Sequence, residues 1–421
     1  MYVAYMTGFR ELSRNRDFTR LWTGEAISQL GSSVSMFVFP LLGYALTGSA
    51  TLAALGEAAF LLGMVAMLLP AGVLADRFDR RRLMLCSSAG GVLTYAVLAV
   101  ATFTGALTIE GLVAGALVTG LAAGLYGPAE LSAVRDIVAR EQLPTALSQN
   151  QARQHVASLL GGPVGGLLYT VSRGLPFLVD VVSYLASAVA LLLIRRDLSA
   201  PERPEPTRVR ADLREGFGHV WRHPLFRTLL FYGSLSNLVV NAVFYIAILR
   251  MVQAGIRPTS IGLVETCAGL GGILGALIAP RLIDRTRTGL LTAVVAWSWV
   301  PLVVPLAFTA SPLVVGPCIG LGLLLNPAGN AAMSSYRVAV TPSRLQGRIG
   351  STMQFGSRCT IPLAPVLGGV LLHELGAATA TWALMVLVAV SALVPTLSRT
   401  LMSVPRPAEW PQVEEAEPVA A

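Results

Sequence analysis

Seven ionisable side chains fall within long apolar runs of this chain: Glu25, Glu57, Glu130, His155, Asp180, Glu265 and Arg358. A charge near a bilayer centre costs at least ~2.5 kcal/mol on insertion scales, so such residues are either paired or functional. A carboxyl in these surroundings is a place where a proton can be taken up and released, the chemistry that couples solute movement to a proton gradient. Glu57 and Glu265 each lie about six residues into a run, or ~9 Å at the helical rise. Glu25 lies at comparable depth from the opposite side. These three are the expected proton- or substrate-responsive groups. The alternative for each is a carboxyl satisfied by a Ser, Tyr or Arg neighbour that only holds helices together. Arg358, read as the one Arg well inside a run, needs a partner. Asp180 reads as structural, and Glu130 and His155 as groups hydrated near the ends of their runs.

The elements that must position these residues are membrane helices. Of 421 residues, 54% are hydrophobic and 13% charged, too few polar residues to cover a water-soluble surface, so lipid must cover much of it. Runs long enough to span a bilayer are expected at 21–45, 51–74, 83–104, 109–131, 148–170 and 175–194, then at 226–249, 259–282, 288–309, 312–335, 349–372 and 376–397. All basic residues are Arg. With the N-terminus inside, the inner segments collect Arg10 to Arg20, Arg77 to Arg82, Arg135, Arg140 and Arg153, and the central loop from Arg195 to Arg227. They also collect Arg281 to Arg287, Arg337 to Arg348, Arg399 and Arg406. The outer loops hold Arg173, Arg250 and Arg257. That asymmetry places both termini in the cytoplasm. Because the arginines sit in short loops, the net charge of +8 does not indicate nucleic acid. No cleavable leader is expected. Cys86, Cys267, Cys318 and Cys359 read as small buried residues rather than a disulfide or metal set.

The halves repeat at an offset of 208 positions: Phe18 with Phe226, Ser28 with Ser236, Glu57 with Glu265, Gly63 with Gly271, and Asp76-Arg77 with Asp284-Arg285. The organisation expected is a six-helix bundle over 1–197, a cytoplasmic linker over 198–224, a second bundle over 225–400 and a disordered tail over 401–421. In the linker, Leu213, Phe217 and Val220 share a face, so this segment is either an interfacial helix or an ordinary solvated linker.

Between the second and third spans the chain reads Gly72-Val73-Leu74-Ala75-Asp76-Arg77-Phe78-Asp79-Arg80-Arg81-Arg82. This resembles the signature loop of the major facilitator superfamily, with Asp79 where Gly is usual. Arg16-Asp17-Phe18, Gly127-Pro128-Ala129, Arg222-His223-Pro224-Leu225 and Pro342-Ser343-Arg344-Leu345-Gln346-Gly347-Arg348 are similar to its macrolide-efflux and enterobactin-exporter branch. The fifth span reads Gly161-Gly162-Pro163-Val164-Gly165-Gly166, with its proline one place later than in many antiporters. Ala116 stands near where classical drug–proton antiporters carry a membrane-embedded Arg.

The resemblance implies an all-helical membrane protein of two pseudo-symmetric six-helix bundles around a central cavity. It implies an inner latch in which Gly72 admits a neighbouring helix and Asp76 caps a helix end. Arg77, Arg80 and Arg81 would then pair with Asp76, Asp79 and carbonyls of the other half, against the eleventh span. Arg358 is expected to pair with Glu57 or another cavity acid, because the second and eleventh helices of this superfamily meet. Asn237, Asn241, Asn326, Asn330 and Gln354 are expected to face the cavity and hydrogen-bond either substrate or neighbouring helices. Phe37, Tyr44, Phe244, Tyr245 and Trp299 offer apolar contacts there or pack. The function implied is secondary export of a drug-like or secondary-metabolite molecule by proton antiport from the cell membrane, as a monomer in lipid, with no cofactor beyond the proton gradient and no enzymatic step. Open rivals are a proton-coupled nutrient importer or facilitator, and a non-transporting receptor on the same scaffold. GxxxxGK[ST] cannot occur without Lys, which argues against self-contained ATP-driven transport.

Overall fold

The computed structural model describes residues 12, 14–139, 142–199, 209–341 and 343–410. Arg10, Arg140, Pro342 and the acidic tail lie outside them, as do the side chains of Asp76, Arg210, Leu213 and Arg344. Among the described residues there is no strand. The first half comprises α1 (Arg16–Thr47), α2 (Ala50–Met67), α3 (Pro70–Arg77), α4 (Arg80–Phe103), α5 (Ile109–Ile137), α6 (Leu143–Val171) and α7 (Leu175–Leu192). A linker helix α8 (Val209–Arg222) precedes α9 (Pro224–Gln253), α10 (Pro258–Arg285), α11 (Thr288–Phe308), α12 (Pro312–Leu324), α13 (Asn326–Ala339), α14 (Ser343–Arg358), α15 (Leu363–Leu375) and α16 (Ala377–Leu397). The short α17 (Arg399–Met402) follows.

Among the described residues, eleven helical segments are long and apolar enough to cross a membrane. The twelfth expected span is α6, whose 29 residues are long enough but carry Gln149, Asn150, Gln151, Arg153, Gln154 and His155 in their first half. Three expected spans are interrupted by proline, which lacks an N–H and clashes with the preceding turn. Leu68 and Leu69 separate α2 from α3 before Pro70, Leu325 separates α12 from α13 before Pro327, and a turn at 359–362 ending in Pro362 separates α14 from α15.

The repeated glycines do the same work in each half. A Cβ on Gly63 of α2 would fall 2.5 Å from the Leu117 carbonyl of α5, and one on Gly271 of α10 would fall 2.0 Å from the Gly320 carbonyl of α12. Only a residue without a Cβ lets these helices approach so closely.

Six spans per half bring the start of α1, the linker and the end of α16 to one face, here the linker face; the opposite is the far face. The linker face of the first half is tied by polar groups. Asn15 accepts the Phe18 N–H (3.1 Å) and donates to the Ile137 carbonyl (3.0 Å). Asp17 accepts the Arg195 and Arg196 N–H groups at 3.2 and 3.0 Å. Linker helix α8 packs on α14, burying Gly216 and Val220, and pairs Glu215 with Arg348. Phe217, which shares a face with Val220 in the sequence, is exposed and stacks on Trp221 with ring centroids 5.7 Å apart. A 540 Å³ cleft beside it is lined by Arg214, Glu215, Gly218, His219, Arg222 and His223, well away from the seam carboxylates described next.

Candidate transport site

The halves meet along two seams, α6 against α10 and α2 against α15. Both contacts concentrate towards the far face. A Cβ on Gly262 of α10 would lie 2.2 Å from the Gly162 carbonyl, and one on Gly166 would lie 2.4 Å from the Pro258 carbonyl. Thr266 Oγ1 donates to the Leu159 carbonyl at 3.3 Å, and Thr51 Oγ1 to the Gly369 carbonyl at 3.4 Å. Towards the linker face, Gly72, Gly272, Gly347 and Gly350 would place a Cβ in open space. The inner part of the eleventh span, α14, packs mainly on α8 and α9 of its own half, whereas its outer part, α15, packs on α2. Among the described residues the halves are joined towards the far face and parted at the linker face.

The repeat-related acids occupy these seams. Glu265 lies against the α6 seam, its Oε2 2.5 Å from where a Gly162 Cβ would stand. Glu57, on α2, is within electrostatic range of both Glu265 and Tyr245. The pseudo-two-fold axis thus brings two distant carboxylates into one neighbourhood. Among the described residues no ion pair joins Glu57 to Arg358. Depth along the helices explains the expected pair's absence. Glu57 is seven positions from the far end of α2, ~10 Å, and Arg358 is seventeen from the far end of α15, ~25 Å at 1.5 Å per residue. Arg358 sits exposed at the α14 break.

A second charged group was not foreseen. The arginine asymmetry counts Arg153 with the inner segments, but α6 begins ten residues before it and carries it inside the first half at 4% exposure. Its Nη2 lies 2.9 Å from Glu130 Oε1 and 4.0 Å from Glu25 Oε1, and its Nε donates to Gln29 at 3.0 Å. Asn150, one turn before it, donates to Glu130 at 3.2 Å. Nη1 is buried without a partner. Glu25 therefore belongs to this cluster and not to the far-face seam. Glu130, expected to be hydrated, is buried in it at 8% exposure. The available signal was Asn150 and Arg153 three positions apart, within a polar first half of α6 whose Gln151, Gln154 and His155 are exposed.

The signature loop binds its own half. Asp79 caps α4, accepting the Arg82 N–H at 3.2 Å. Arg80 pairs with Asp136 at 2.9 Å and donates to the Ser199 carbonyl at 2.8 Å. Arg81 donates to the Ile194 and Arg196 carbonyls, each at 2.8 Å. These carbonyls follow the end of α7, where the helix dipole favours a cation. Contacts with the other half, expected of these arginines, are replaced by contacts within the first because the halves are parted at this face. Arg77 is exposed, and no helix abuts Gly72.

Asn237 donates to the Ser357 carbonyl at 2.8 Å and Asn241 to the Asn237 carbonyl at 2.7 Å. Asn237 thus links α9 to α14, while Asn241, Asn330 and Gln354 are exposed and Asn326 starts α13. Phe37, Tyr245 and Trp299 are packed at 3–4% exposure. Asp180, fully buried on α7, accepts from Ser183 at 2.7 Å and backs onto Gly31 of α1.

The family model described as Major Facilitator Superfamily matches residues 21–326 and 230–421. The multidrug efflux pump Tap of Mycolicibacterium fortuitum is 26% identical over 359 residues, covering 82% of this chain and 87% of its own. Macrolide efflux protein A of Streptococcus pyogenes is 24% identical over 275 residues, covering 62% and 65%. In fold, the chain is similar to an inward-facing, unoccupied bacterial homologue of the human lysosomal transporter Spinster, with a TM-score of 0.71, 14% identity, and 92% and 98% of the two chains covered. Sequence match, helical architecture and repeated halves agree: this chain is a transporter of the Major Facilitator Superfamily.

Proposed function

We propose that this transporter exports a drug-like or secondary-metabolite molecule across the cell membrane in exchange for protons, with its linker face and both termini in the cytoplasm. The observation that carries the reading is the pair of seams, closed through backbone-to-backbone glycine contact at the far face and parted at the linker face. Such seams can open at one end as they close at the other, exposing one pocket to each side in turn. Similarity to Tap and to macrolide efflux protein A favours export of a hydrophobic drug-sized solute. The arginine-rich linker face supports the orientation. Glu57 and Glu265 sit where a proton entering from the far side would meet the seams, and Glu25 stands beside Arg153 and Glu130 inside the first half. Arg358, Asn241, Asn330 and Gln354 offer polar contacts for the solute, and Arg77 is free to engage the second half when the linker face closes.

The test is reconstitution of the purified protein in liposomes with an acidic lumen, followed by uptake of ethidium and of a macrolide. Inside-out molecules should accumulate either compound in a gradient-dependent manner that a protonophore abolishes. Accumulation driven only by the opposite gradient would identify an importer, and gradient-independent equilibration would identify a facilitator.

A further inference from the structure

Arg153 is shared unequally between two carboxylates that come from different helices. Glu130 of α5 holds Nη2 with both oxygens, at 2.9 and 3.2 Å, and is fixed by Asn150. Glu25 of α1 stands 4.0 Å from the same nitrogen, beside the Tyr126 hydroxyl. The Arg153 side chain is 3% exposed, those of Glu130 and Glu25 11% and 13%, and Nη1 has no partner. Two ionised carboxylates around one guanidinium leave a net buried charge of about −1, which is expensive in a low-dielectric interior. One proton neutralises the group while the closer ion pair survives.

We infer that Glu25, Glu130 and Arg153 form a one-proton site in which Glu25 carries the proton, and that its occupancy sets whether the linker face is open. In the arrangement seen, Glu25 stands off from Arg153, as a protonated carboxyl would, and among the described residues Nη1 is left unfilled. Loss of the proton creates a carboxylate drawn onto Nη1, pulling α1 towards α6. Those two helices bridge to the second half: α6 carries Gly162 and Gly166 of one seam, and α1 touches α9. A shift between them is therefore felt where the halves pivot.

The other titratable or charged groups on neighbouring elements are already engaged or stand apart from Arg153. Asp17 pairs with Arg20 and Asp136 with Arg80. Arg135 and His155 are exposed. Asp180 and Tyr184 of α7 hydrogen-bond Ser183 and Ser32, and Glu265 of α10 lies at Gly162.

The inference rests on the proton-antiport reading, but its test does not require transport. Spin labels are placed on Ala139→Cys and Gly347→Cys, both exposed at the linker face, in a variant lacking the native cysteines, and the inter-label distance is measured against pH. The open-to-closed ratio should change about tenfold per pH unit through the transition, as one-proton linkage requires. Glu25→Gln should be open at every pH, and Glu25→Asp should restore the dependence. Infrared difference spectra between acid and alkaline samples should show a protonated-carboxyl band that Glu25→Gln removes and Glu57→Gln leaves. A Glu25→Gln protein with the unmodified pH response, or with that band intact, overturns the assignment. If it fails while ethidium uptake in liposomes stays proton-driven, the exporter reading survives and the proton site lies elsewhere. If uptake ignores the gradient while the pH-set opening persists, the exporter reading falls and the site stands.

Discussion

Gly262→Ala is the smallest change that should move the equilibrium between the two ends of the molecule. The added methyl would lie 2.2 Å from the Gly162 carbonyl oxygen, 2.4 Å from its carbon and 2.7 Å from the Pro163 nitrogen. All three are backbone atoms, so no side chain can turn aside. Ordinary contact begins near 3.4 Å, so α6 and α10 must separate by about 1 Å while the seam is closed. Overpacking of this kind costs typically 1–3 kcal/mol. That cost falls on the far-face-closed state, so its population relative to the far-face-open state should drop by about 5- to 150-fold, at ~1.4 kcal/mol per decade. Gly272→Ala is the matched control: it is on the same helix, and its Cβ would meet nothing within 4 Å. Spin labels on Ala106→Cys and Gln253→Cys, at the far face, report the distribution. Gly262→Ala should populate a longer distance and Gly272→Ala should not. Equal behaviour of the two variants, in either direction, would refute the argument that the glycine seam sets the closed state.

Three further outcomes follow from named contacts. Arg80→Ala removes two charge-assisted bonds, to Asp136 and to the Ser199 carbonyl, and should lower stability by about 1–3 kcal/mol in chemical denaturation, whereas Arg77→Ala should leave stability unchanged and lengthen the time spent open at the linker face. Glu57→Gln and Glu265→Gln should leave the fold intact, by thermal melting, and reduce proton-driven ethidium uptake; full uptake in both variants would remove them from the coupling path. His223 is held below its usual pKa by desolvation and by neighbouring His219. The neutral ring is thus the one the fold prefers, so its contribution is complete above the unfolded value of ~6.5 and is lost as pH falls through the lower folded value. Amide exchange in α8 and the start of α9 should accelerate on acidification, and His223→Gln should blunt that change.

Much of the architecture is legible from hydropathy, because the bilayer demands ~20 apolar residues for every span and the arginines mark alternate loops. What escaped was chemistry that depends on distant partners. Arg153 read as loop because positive-inside counting credits any Arg near the start of a run to the loop, and α6 in fact starts at Leu143, ten residues before Arg153. Its partners at 25, 29 and 130 come from helices that sequence separation does not bring together. The Arg358–Glu57 pair looked plausible because their helices adjoin, but adjacency says nothing about depth. The arginines of the signature loop were expected to reach across the halves because the family resemblance implies a latch there. In the state observed the nearest carbonyls belong to α7 and the segment after it. The helix breaks at Pro70, Pro327 and Pro362 were not legible from proline alone, because Pro40, Pro128, Pro163 and Pro280 sit inside unbroken helices.

The claim beneath the rest is that the halves must part at the far face for solute to pass. Thr266 Oγ1 already bonds the Leu159 carbonyl at 3.3 Å, so Thr266→Cys with Leu159→Cys, in a background free of native cysteines and replacing no seam glycine, can be oxidised to tie α6 to α10. Ethidium uptake into liposomes should stop on oxidation and return on reduction. Uptake that continues with the cross-link verified as complete would contradict alternating access in this protein.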